Sequence, residues 1–110
     1  MNYITMFLKN RQRKKLVKEI DDLKVQSANF LENSHSEKIC ADSILRYANL
    51  QQKQAEHGDA GSNIWLSCYL SEYLEKYQKF SESAAINYQH YQNLQNRINF
   101  LNQKISKLDT

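Results

Sequence analysis

The chain contains no proline, and its only two glycines, Gly58 and Gly61, stand almost together. Strand-rich folds need frequent Gly and Pro punctuation, so an all-β or doubly wound architecture is excluded in favour of long helices meeting at one turn. Cysteine is scarce too. Cys40 and Cys68 are isolated, which fits reduced thiols in a cytosolic protein better than a disulfide scaffold. No apolar run approaches the roughly 18 residues of a membrane span. The opening "MNYITMFLKNRQRKK" places apolar residues before charges, the reverse of a secretory signal. His35, His57 and His90 share no ligand spacing with each other or with the cysteines, so they read as solvent-exposed side chains and no metal is expected. The chain also lacks a phosphate loop, a nucleophile elbow and a Cys with an orienting His. The expectation is therefore a non-enzymatic protein without a cofactor.

What the sequence does hold is helical periodicity. In the second half, Leu66, Leu70, Tyr73, Tyr77, Phe80, Ala84, Asn87, Tyr91, Leu94, Ile98, Leu101, Ile105 and Leu108 recur at alternating spacings of four and three. This is the seam of a coiled coil, and its one polar member, Asn87, has the character of a register-setting residue. At about 1.5 Å per residue such a helix runs roughly 70 Å and needs an equally long partner. The first half offers one through Leu16, Ile20, Leu23, Ser27, Phe30, Ser34, Glu37, Ala41, Ile44 and Ala48. That seam is polar across "ENSHSEK", so a break near Ser34 giving three helices is the alternative. The segment "HGDAGSN" reads as the turn, with Gly58 ending one helix and Ser62 or Asn63 capping the next. The predicted fold is all-α: a single long antiparallel two-helix coiled-coil hairpin, with helices over about 10–56 and 64–109, a turn at 57–63, and both termini at one end.

Two features exceed what a hairpin needs. Lys9, Arg11, Arg13, Lys14, Lys15 and Lys18 occur with no acid before Glu19, against a net charge of only +3 for the chain. Cations near a helix N-terminus oppose the macrodipole, so a binding role stands level with a merely solvated helix start. Acidic protein and anionic lipid are candidate targets. Nucleic acid is not expected, because no aromatic residue interleaves with the run to stack on bases. The second feature is "NIWLSCYLSEYLEKYQKF", residues 63–80, which carries five of the twelve aromatic residues. Its apolar residues exceed one seam: Ile64, Trp65, Tyr69 and Leu74 fall outside, and Leu70, Leu74 and Tyr77 make a second stripe. Either another segment covers them or they form a partner-binding patch. Glu72 and Glu75 pair by spacing with Lys76 and Lys79 as a solvated face.

A turn containing "AGSN", then at once a Trp, a Tyr-rich start and "LEK", and a long helix ending in "INFLNQKISKL" resembles the FliJ/YscO family over residues 58–108. Members are the stalk proteins of type III secretion and flagellar export. The resemblance implies a cytoplasmic stalk, peripheral to the secretion apparatus at the inner membrane. It would sit in the pore of the hexameric export ATPase, promote its assembly and activity, and link it to the cytosolic ring of the export gate. Aligned on "LEK", the family's gate-binding stripe falls on Leu70, Leu74 and Tyr77, with a fourth position at Ser81 where a bulkier residue is usual. Trp65 and Tyr69 flank it. The terminal end would then meet the ATPase through Lys9, Arg11, Arg13, Lys14, Lys15, Lys18, Lys104 and Lys107. Secretion chaperones are further candidate partners, and no direct membrane insertion is expected. The shortness of the chain favours a virulence-system member. The rival readings are a type III secretion chaperone or a general helical assembly chaperone that binds a secreted or coiled-coil partner.

Overall fold

A computed structural model describes residues 2–57 and 60–110, with the side chains of 60–63 and 65–67 left aside. Two α-helices account for nearly all of them, α1 over Tyr3–Glu56 and α2 over Ala60–Leu108, and no strand occurs among the described residues. They form the all-α antiparallel hairpin that the periodicity predicts.

The helix ends differ from expectation. α1 begins about seven residues early, because Asn2 caps it: the Asn2 side-chain oxygen accepts a hydrogen bond from the Ile4 N–H at 3.0 Å. Nothing in residues 3–9 breaks a helix. At its other end the His57 N–H bonds to the Gln54 carbonyl at 3.2 Å, tightening the last turn. α2 begins at Ala60, so the turn is shorter than 57–63, and Ser62 and Asn63 lie inside the helix rather than capping it. Continuing the helix through Gly61 costs only about 1 kcal/mol relative to alanine, which a long packed helix absorbs. The expected role of Gly58 lies outside the described residues. α2 closes with the Asp109 N–H shared between the Ile105 and Ser106 carbonyls, and with the Thr110 hydroxyl donating to the Lys107 carbonyl at 2.9 Å.

The helices pair in two compact units, a terminal unit of Met1–Leu31 with Tyr88–Thr110 and a loop unit of Glu32–Asn87. In the terminal unit, Leu16, Ile20, Ile98 and Leu101 are buried against one another, and Leu23, Ile105 and Leu108 pack around them. The antiparallel register there is explicit: Gln95 donates to the Ser27 hydroxyl at 2.7 Å, Arg97 reaches Glu19 at 3.5 Å, and Arg13 pairs with Asp109. Phe30 and His90 stack at 5.0 Å between centroids.

The loop unit is built on smaller side chains. Among the described residues its buried hydrophobic side chains are Ala41, Ala48, Ala55 and Ala84, joined by buried Ser34. α1 does not break at Ser34. The Ser34 hydroxyl instead donates to the Ala84 carbonyl at 2.7 Å, so the polar stretch stays helical by bonding across the hairpin. Asn87 is half-buried on the seam and donates to Glu37 Oε1 at 3.0 Å. Glu37 Oε2 is buried with no hydrogen-bond partner. Phe80 departs from the predicted seam. It is exposed, and Ser81 turns inward in its place. Where Ser34 and Ala84 hold the backbones close, a phenylalanine ring does not fit and a serine does.

Candidate partner-binding surfaces

The expected patch after the turn lies in the loop unit on α2. Tyr69 is 49% exposed and Leu74 43% exposed, while Leu70, Tyr73 and Tyr77 are half-buried at the seam. Trp65 belongs to α2, but its side chain is outside the described residues. Five residues separate Tyr69 from Leu74, roughly 140° around a helix, so they lie on opposite flanks of the hairpin. The predicted patch is thus two surfaces. One flank carries Leu70, Leu74 and Tyr77, in line with half-buried Ser81. The other carries Tyr69 and Tyr73, and here α1 contributes a residue that periodicity did not single out: the Tyr47 ring lies 5.3 Å from Tyr73. Leu50 of α1 is also exposed in this unit. Its signal was present, since both residues sit off the first-helix seam at helical spacing.

Charged side chains rim these flanks without crowding them. Lys76 reaches Glu72 at 3.9 Å and lies 5.5 Å from the Tyr73 ring centroid, and Lys79 reaches Glu75 at 3.5 Å. These are the helix-supporting pairs expected from spacing, worth a few tenths of a kcal/mol each.

The expected basic surface lies wholly in the terminal unit, but its members diverge. Lys9 and Arg13 line a cleft with Leu108 and Asp109 at the end of α2. Arg13 is held by Asp109 and is the least available of the set. Arg11 and Lys14 line a second cleft with Phe7, which Arg13 also lines, and Arg11 and Lys15 line a third with Leu8. Lys18 is exposed one turn further on. On α2, Lys104 sits 4.8 Å from the exposed Phe100 ring, where Arg97 also stacks at 5.3 Å, and Lys107 is exposed in the last turn. The apolar residues that precede the basic run, Tyr3, Ile4, Phe7 and Leu8, are exposed.

The chain matches no family model, no curated protein and no solved structure. Its surfaces must therefore be read from their own chemistry. Among the described residues no group of three or more His, Cys, Asp and Glu is placed to hold a metal ion, and no helix is long and apolar enough to cross a membrane. Cys40 and Cys68 are free and exposed. The charge is unevenly shared. The terminal unit has ten Lys and Arg against four Asp and Glu, and the loop unit has five against eight. The two units thus differ in charge, one cationic and the other mildly acidic, while both expose large aromatic and aliphatic side chains.

Proposed function

We propose that this chain is a non-enzymatic stalk of a type III secretion ATPase, acting in the cytoplasm at the secretion apparatus. It would promote the hexameric ATPase and link it to the cytosolic ring of the export gate. The observation that carries the reading is the segregation of charge between the two units. A connector needs two unlike binding surfaces, and a cationic unit and a mildly acidic unit with apolar flanks supply them. Lys14, Lys15 and their neighbours would engage acidic groups of the ATPase. Their attraction is long-ranged and screened by salt, and it speeds encounter more than it holds a complex. Leu70, Leu74 and Tyr77 would dock the gate, since an apolar stripe with an aromatic anchor is the usual source of tight contact.

The test is the hydrolysis rate of the purified export ATPase with and without this chain, with the chain's mass measured in the same buffer. Stimulation by a monomer supports the stalk, and no stimulation sinks it. The chaperone reading rests on a separate observation: among the described residues of the loop unit the fully buried side chains are small, while Leu50, Tyr69 and Leu74 are exposed. It requires a homodimer, or a chain that becomes ordered on capturing a secreted substrate.

A further inference from the structure

The first turns of α1 carry apolar and basic residues along a single helix face. Ile4, Phe7 and Leu8 are followed at three- and four-residue spacings by Arg11, Lys14 and Lys15, and the helix is unbroken from Tyr3. The side chains are contiguous: Phe7 shares a cleft with Arg11 and Lys14, and Leu8 shares one with Arg11 and Lys15. This face is turned from the core, because Leu16 and Ile20, which pack with Ile98 and Leu101, project from the other side. Ile4, Phe7 and Leu8 are 67%, 65% and 55% exposed.

The arrangement selects its partner. An acidic protein cleft would account for the basic residues but leave the apolar turn in water. A second copy would bring cation against cation, because no acid occurs before Glu19. An anionic bilayer offers both chemistries in the right order, acyl chains beneath a layer of phosphates. From Tyr3 to Leu8 the helix rises about 8 Å, within the 5–10 Å to which interfacial helices bury their apolar residues. We propose that this end of α1 docks obliquely into the headgroup region of an anionic membrane. Ile4, Phe7 and Leu8 reach the acyl boundary, and Arg11, Lys14 and Lys15 sit among the phosphates. The proposal narrows the expectation of no direct membrane insertion to the absence of a spanning helix, and it gives Lys14 and Lys15 an occupant alternative to the ATPase of the stalk reading.

The test is flotation of the full chain with vesicles of phosphatidylcholine alone, and with vesicles in which about a third of the lipid is phosphatidylglycerol, a typical anionic loading. Binding is expected only to the anionic vesicles. Phe7→Ser with Leu8→Ser should lower it by about tenfold or more, through lost apolar burial. Lys14→Gln with Lys15→Gln should lower it by a similar factor, with a weaker residual salt dependence. The lysine pair changes charge without touching the apolar turn, so it remains informative if the first variant loses helicity by circular dichroism. No binding to anionic vesicles, equal binding to neutral ones, or anionic binding that neither double variant weakens overturns the proposal. So does a doubled mass that Phe7→Ser with Leu8→Ser abolishes in the absence of lipid, which would mark the face as a self-association surface. ATPase stimulation measured without lipid tests the stalk separately.

Discussion

Where the terminal unit closes its seam on Leu16, Ile20, Ile98 and Leu101, the loop unit closes on Ala41, Ala48, Ala55 and Ala84. Both follow the same alternating spacing, yet they differ in what they hide and in what they leave outside. Fully burying a leucine or isoleucine is worth about 1.5–3 kcal/mol, and burying an alanine far less. Among the described, fully buried side chains, those of the terminal unit therefore carry most of the packing energy. In the loop unit, small residues let the helices approach, and the larger side chains Leu50, Tyr69 and Leu74 are exposed at its surface. The difference teaches that one seam pattern can serve two ends, anchoring in one unit and presenting a surface in the other.

The sharpest way to break this comparison is Leu101→Ala, which empties the most buried hydrophobic side chain of the terminal unit, at 1% exposure. It should cost about 3 kcal/mol in urea denaturation. Hydrogen exchange should rise first among residues 16–31 and 88–105. An equal rise in the loop unit would show that the two units do not differ in stability. Next in size is the Leu70→Ala, Leu74→Ala pair. It should weaken gate binding by about thirtyfold or more while leaving helicity nearly unchanged, and retained affinity in a titration would remove that flank from the gate contact. Ser34→Ala should cost about 1 kcal/mol, the net worth of its bond to Ala84, because the helix itself is preserved. A loss of several kcal/mol would mean that the polar layer, not the alanines, organises the loop unit.

Reversing Lys14 and Lys15 to Glu should reduce ATPase stimulation several-fold at low salt and less as ionic strength rises. Stimulation that is unchanged at every salt concentration would take the outward basic residues out of the mechanism. The smallest effect belongs to Arg97→Gln. It removes a half-exposed 3.5 Å contact with Glu19 and should change stability by no more than about 0.5 kcal/mol. A larger loss would locate real energy in the terminal unit's charges rather than in its leucines.

All ten positions named for the first-helix seam, from Leu16 to Ala48, are buried or half-buried, and Ala55 extends the pattern. That much was legible because a side chain's direction on a helix follows from its number alone. Phe80 was misplaced for a reason periodicity does not contain, the closeness of the backbones beside Ser34 and Ala84. The start of α2 was placed late because Ser62 and Asn63 resemble caps, while the cost of a helical Gly61 is small enough for packing to override. Of the candidate sites, the residue types were legible and their grouping was not. Tyr69 and Leu74 looked like one patch, and Arg13 looked as free as Lys14.

The sequence by itself determined that the chain is two antiparallel helices with a seam of alternating four and three, because missing Pro, scarce Gly and apolar periodicity act locally and leave few alternatives. It also determined where the charges and aromatics fall along the chain. Only the tertiary structure decided which of them share a surface. It turned Ser34 from a break into a cross-helix bond, set Asn87 against Glu37, drew Arg13 to Asp109, and put Tyr47 beside Tyr73. Each of these depends on the distance and rotation between two helices, and those are set by the sizes of side chains many residues apart.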